Sequence, residues 1–133
     1  DVAWTGWSTY DELRVEHEAT GLALVNSEKD WNNVFSYRLG AEYQASESWV
    51  LRCCYVFDQS PVPNDYRGLE LPCNDRHMFS VGTGYTCGNW GIDLAYCYIL
   101  VKDGDAGRRA VGGIGEFEDG HAHLLGFSYN RKF

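Results

Sequence analysis

The chain has 133 residues, of which 15% are aromatic, 15 are glycine and only 3 are proline, a balance that favours β structure over a helical bundle or a disordered tail. No stretch reaches the roughly 18–20 uninterrupted apolar residues of a transmembrane helix, and a mean hydropathy of −0.38 excludes a helical membrane protein but not a membrane barrel, whose strands alternate apolar and polar. A net charge of −8 repels phosphate backbones and argues against a nucleic-acid partner.

Residues 1–17 read as a first strand, although Trp4 and Trp7 fall on opposite faces unless a bulge intervenes. Asp1–Trp7 shows no basic region followed by an apolar one, so a mature chain or a piece of one is expected. Residues 18–30 read as a long polar loop. From 31 to 44 the period is two: Trp31, Asn33, Phe35, Tyr37, Leu39, Ala41 and Tyr43 on one face, which is mostly apolar and aromatic, and Asn32, Val34, Ser36, Arg38, Gly40, Glu42 and Gln44 on the other, which is mostly small, polar or charged. The tight turn Ala45–Glu47 is expected to place Tyr43 opposite Trp49. Residues 48–58 repeat the alternation, with Trp49, Leu51, Cys53, Tyr55 and Phe57 against Val50, Arg52, Cys54, Val56 and Asp58. A long loop, 59–74, precedes a strand over 76–87; Gly88–Asn89 suits a two-residue turn that needs positive φ. Strands over 90–102 and 121–133 flank a third long loop, 104–118, which carries Arg108 and Arg109.

Six strands result, most of them long enough for the about 9–11 residues that a tilted strand needs to cross a bilayer. Short turns at one rim and long loops at the other is the pattern of outer-membrane barrels. Trp31, Tyr43, Trp49, Tyr85, Trp90 and Phe133 lie near strand ends and Leu39, Leu51, Val81, Ile92 and Leu94 further in, as membrane belts require, while Tyr55, Tyr96 and Tyr98 stand toward the middles or upper halves and leave the girdle imperfect. The opposite face carries Arg38, Glu42, Arg52, Asp93 and Lys132 among glycines, which suits a wet lumen. The expected fold is therefore all-β, an antiparallel up-and-down transmembrane β-barrel. The alternative is a soluble, lipocalin-like β-barrel that turns its apolar face inward around a hydrophobic ligand.

The five cysteines, Cys53, Cys54, Cys73, Cys87 and Cys97, form no CxxC and are odd in number; neither a complete disulfide framework nor a metal spacing follows. His121 and His123, two apart on one face, are weighed as a metal pair, and Cys73 with His77 and Asp75 as a nucleophile; rim positions on a strand and incidental spacing explain both, so no metal, cofactor or catalytic residue is expected. The last residues, Leu125 to Phe133, resemble the signal that outer-membrane assembly machinery reads on a terminal strand, which makes that machinery an expected partner through Phe133.

Trp4-Thr5-Gly6-Trp7-Ser8, Leu39-Gly40-Ala41-Glu42-Tyr43-Gln44, Asp58-Gln59-Ser60-Pro61-Val62-Pro63, Asn74-Asp75-Arg76-His77 and Ser80-Val81-Gly82-Thr83-Gly84-Tyr85 follow one another in this order. Together they resemble the C-terminal part of the FadL/OMPP1/TodX family of outer-membrane transporters. The resemblance implies the last six strands of a 14-stranded barrel that is plugged by an N-terminal hatch, with the hatch absent here. It implies a bacterial outer-membrane location and passive uptake of a long-chain fatty acid or other hydrophobic compound, among outer-membrane lipid and lipopolysaccharide. Cys53 and Cys54 stand where the family usually carries small residues. On this reading Arg38, Glu42, Arg52 and Asp93 face the lumen, pairing with one another or with a hatch, or drawing in a carboxylate. Asp58, Gln59, Ser60, Pro61, Asp75 and Arg76 form an ion-pair and turn network that pins the extracellular loop and shapes the way in for the ligand.

Overall fold

The computed structural model describes residues 1–18, 20–67, 73–105, 107 and 115–132. Among them the short β1 (Val2–Thr5) and the five long strands β4 (Val34–Gln44), β5 (Trp49–Asp58), β6 (Arg76–Cys87), β7 (Trp90–Val101) and β10 (His121–Arg131) form one sheet in the order β1-β4-β5-β6-β7-β10. Every pairing is antiparallel. The chain is thus an up-and-down meander whose successive long strands are neighbours. Two small hairpins project from it: β2 (Glu12–Glu16) with β3 (Ala23–Glu28), and β8 (Gly104–Asp105) with β9 (Glu116–Phe117). Phe133, Arg108 and Arg109 lie outside the described residues.

Residues 1–17 are not one strand. After Thr5 the chain turns through a 3₁₀ segment, Trp7–Thr9, held by Ser8 N–H donating to Asn33 Oδ1 (2.9 Å). It then leaves the sheet, and residues 23–28, read as loop, are the partner strand of 12–16. The parity break at Trp7 is this turn rather than a bulge.

Parity sorts the sheet into two faces, and register sorts one of them into bands. Counting away from the long loops, the cross-strand rows are Phe57–His77–Leu100–His121, Tyr55–Phe79–Tyr98–His123, Cys53–Val81–Tyr96–Leu125, Leu51–Thr83–Leu94–Phe127 and Trp49–Tyr85–Ile92–Tyr129. The third and fourth rows are mostly aliphatic or small, with Tyr96 and Phe127 as exceptions, and they lie between rows richer in rings. The second and fifth rows are six residues, or about 20 Å along the strand, apart. Tyr55 and Tyr98, which look central on their own strands, belong to the loop-side ring band because each strand is offset from its neighbours. Leu39 is 75%, Leu125 86% and Phe127 70% exposed, and Val62 is the one buried hydrophobic residue among those described. No dry centre forms around Phe35, Leu51, Val81, Leu94 and Phe127, all of which are exposed. That weighs against the soluble, lipocalin-like alternative: a greasy face left open needs lipid, as membrane barrel strands do.

The turn after β4 corrects the expected aromatic pair. Gln44 faces Val50 and Tyr43 faces Leu51, so the turn holds one residue pair more than the tight version. Ser46 Oγ accepts from the Ser48 and Trp49 amides (3.3 and 3.1 Å), and Ala45 N–H donates to Trp49 O. Trp49 packs instead on Tyr85, ring centroids 4.9 Å apart. At the other turn Gly88 adopts φ 58°.

Candidate functional site

On the face opposite the rings, Glu42 and Arg52 are cross-strand partners, and Asp93 lies on β7 facing Gly84. Arg52 Nε donates to Glu42 Oε2 at 2.7 Å and Arg52 Nη1 to Asp93 Oδ1 at 3.1 Å. The guanidinium thus bridges β4 and β7 across the two strands between them. Asp93 also accepts from Asn130 Nδ2 of β10 at 3.5 Å, so a polar line crosses five strands. Arg38 is not part of it; it pairs with the Asp1 carboxylate at 3.6 Å, nearer the long loops. Of the four charges proposed for this face, three are brought together and one stands apart.

At the loop end, Asp58 and Arg76 are cross-strand partners joined at 2.5 Å. Asp75 Oδ1 accepts the Ser60 amide (3.0 Å) and Oδ2 accepts from Lys102 Nζ (3.1 Å), while Ser60 Oγ donates to Cys73 O (2.7 Å). Partial burial pushes the Asp75 carboxyl up, but the Ser60 amide, the Lys102 ammonium and the nearby His77 outweigh it and hold the group below the usual carboxylate range. Gln59 Oε1 accepts from Phe35 N–H (3.1 Å) and Pro61 O from Asn32 N–H (2.8 Å). These contacts stitch the loop after β5 to the starts of β4 and β6.

Sequence reasoning missed Arg67. It is 5% exposed and sits at the centre of the loop cluster, with Nε donating to Cys73 O (3.3 Å), Nη1 to Asp105 O (2.9 Å) and Nη2 to Asn64 Oδ1 (2.9 Å). It ties two long loops together. Gly107 makes the approach possible: a Cβ there would lie 2.5 Å from both Arg67 N and Asp65 O, backbone atoms that no rotamer change moves. Nothing in the sequence separates this buried arginine from a solvated one, since both occur in polar loops.

Between the loop cluster and the sheet lies a cavity of about 490 Å³ whose lining includes Trp7, Tyr10, Trp31, Val34, Pro61 and Arg76. Trp31 receives Trp7 and Tyr10 edge-on, with centroids 5.2 and 5.1 Å away. Its Nε1 is buried without a hydrogen-bond partner in the protein, a desolvated donor that costs about 1–3 kcal/mol if nothing meets it. Asp58, Gln59 and Cys73 also reach this cavity. His77 does not join Cys73; it lies on the ring-bearing face, its Nδ1 2.8 Å from the Tyr55 hydroxyl. No group of three or more His, Cys, Asp or Glu side chains poised for a metal occurs among the described residues.

The family model for outer membrane protein transport proteins (OMPP1/FadL/TodX) matches residues 1–133. A Neisseria meningitidis serogroup B protein, named for the outer membrane, is 35% identical over 152 residues, covering 100% of this chain and 32% of its own length. A long-chain fatty acid transport protein of Salmonella typhi is 29% identical over 133 residues, 99% of this chain and 30% of its own. The crystal structure of a Pseudomonas aeruginosa FadL homologue superposes with a TM-score of 0.72 at 25% identity, over 97% of this chain and 28% of that one. This chain therefore spans about a third of the length of the relatives it matches. A ring-banded, lipid-facing sheet and a match over its whole length give one conclusion: the chain belongs to the OMPP1/FadL/TodX family of outer membrane proteins, and its meander is a section of an outer-membrane β-barrel.

Proposed function

We propose that this section of barrel takes part in passive transport of a hydrophobic molecule, such as a long-chain fatty acid, across the outer membrane. The observation that carries the reading is the aromatic cavity beneath the long loops, walled by Trp7, Tyr10 and Trp31 and edged by Arg76. The three rings supply apolar area and the Asp58–Arg76 ion pair supplies a polar edge, which together suit a mostly apolar guest with one polar end. Supporting it, the related Salmonella protein is named for long-chain fatty acid transport. Asp58, Gln59, Ser60, Pro61, Asp75 and Arg76 act here as the frame that holds the loops over the way in. Glu42, Arg52 and Asp93, with Arg38, line the lumen and make a polar path or a seat for a hatch. No chemical step and no cofactor enters this reading. Outer-membrane lipid, lipopolysaccharide and the assembly machinery are its further partners, the last through Phe133.

The test is uptake of a radiolabelled long-chain fatty acid by cells that lack their own transporter and express the whole protein. Trp31→Ala and Tyr10→Ala should lower uptake several-fold while the barrel stays folded, as read by heat-modifiable gel mobility. Unchanged uptake in both folded variants overturns the reading.

A further inference from the structure

The ring-bearing face is chemically uneven. Three of the four histidines, His77, His121 and His123, lie on it in the two rows nearest the long loops. His123 Nδ1 is 2.7 Å from the Tyr96 hydroxyl; in the tautomer that accepts from the phenol, and which the site below requires, the ring carries its proton on Nε2. His121 Nδ1 lies 2.8 Å from the Asp119 carbonyl and so donates to it, leaving Nε2 as an acceptor. The two rings are 5.7 Å apart, and Tyr98 packs against both, at 6.4 and 5.1 Å. A donor and an acceptor thus stand side by side at one edge of the lipid-facing surface.

Below them on the same strands is a groove of about 520 Å³ edged by Val81, Thr83, Leu94, Tyr96, Leu125 and Phe127. Leu125 follows His123 by two residues, about 7 Å along the strand, so the groove begins where the histidines end. Lys102 Nζ lies 5.8 Å over the Phe57 ring, in the same row as His77 and His121, and adds a cation at that height that Asp75 shares.

We propose that the outward face of β6, β7 and β10 is a binding site for one lipid that carries a phosphate monoester, seated in the leaflet on the long-loop side. One acyl chain fills the groove. A phosphate oxygen accepts from His123 Nε2–H, and in the singly protonated monoester, which dominates below about pH 6, the phosphate O–H donates to His121 Nε2, a pairing that a phosphodiester headgroup cannot complete. The occupant is lipid rather than protein because the groove is continuous with the membrane-facing surface and the polar pair sits at headgroup height. The inference rests on the membrane orientation and makes specific the lipid partner given above.

The test uses the whole protein in detergent micelles, with native mass spectrometry counting retained lipid after addition of lipid A, enzymatically dephosphorylated lipid A, or inorganic phosphate. Wild type should retain lipid A about tenfold better than the dephosphorylated form, the worth of a charge-assisted hydrogen-bond pair, and His121→Ala/His123→Ala should erase that preference. Tyr96→Phe, which removes only the phenol that orients His123, should weaken it and guards against misfolding of the double variant. Equal retention of both lipids by wild type, or an undiminished preference in the double variant, overturns the proposal, as does a preference abolished by millimolar inorganic phosphate alone. Fatty-acid uptake should be unchanged in the histidine variant, so a failure of the lipid site is separable from a failure of the transport reading.

Discussion

Gly84 and Asp93 face each other on β6 and β7, and a Cβ on Gly84 would lie 2.7 Å from Asp93 Oδ1 and 2.9 Å from Val50 Cγ1. The glycine is the space in which Arg52 reaches Asp93: the same Cβ would come within 3.2 Å of Arg52 Nη1. A strand glycine replaced by alanine ordinarily gains stability by restricting the unfolded chain. Here overpacking, about 1–3 kcal/mol, wins. Gly84→Ala should lower the thermal unfolding midpoint of the whole protein and loosen the Arg52 bridge. Gly82→Ala, whose Cβ meets nothing closer than Leu94 O at 3.3 Å, should cost less. A Gly84→Ala midpoint at or above wild type would mean that the polar line has slack.

The assignment of faces predicts an asymmetry between two neighbouring positions on β10. Leu125, 86% exposed in the middle rows of the ring-bearing face, faces acyl chains, and arginine there should destabilise the folded barrel by about 2–4 kcal/mol near the bilayer centre. Ser128 lies on the other face opposite Asp93, so Ser128→Arg gains a carboxylate neighbour and water and should cost little. Equilibrium urea unfolding in phospholipid vesicles measures both. Equal penalties, or the reverse order, would contradict the orientation of every strand.

Asp75 ties loop stability to pH. Its folded-state value lies below that of a free aspartate, about 3.9, because the Ser60 amide and Lys102 outweigh partial burial. A depressed carboxyl contributes its full share of stability above the free value and loses it as pH falls through the folded one. Asp75→Asn should therefore be less stable than wild type at pH 7, and the gap should close in acid, below about pH 4. Limited proteolysis of the long loops across that range is the measurement. A gap independent of pH would show that the carboxylate charge is not what holds the loop.

Parity was legible in the sequence because a strand has only two faces: once Trp49, Leu51, Cys53, Tyr55 and Phe57 alternate with Val50, Arg52, Cys54, Val56 and Asp58, each side chain's company is set to within one choice of side. The family motifs and the contrast of short turns with long loops were equally local. Register was not local. Whether Trp49 meets Tyr43 or Tyr85, and whether Tyr55 and Tyr98 stand mid-membrane or at its edge, depends on how far each strand slides against the next, which the Ser46 and Gly88 turns and cross-strand packing decide. Nor could alternation follow the chain where it leaves the sheet, so the Trp7–Thr9 turn and the β2–β3 hairpin lay hidden in what read as strand and loop. Arg67 shows the same limit. Its type and neighbours are those of an exposed loop, and only the arrival of Asn64, Cys73, Gly104 and Asp105 around one guanidinium makes burial cheaper than hydration.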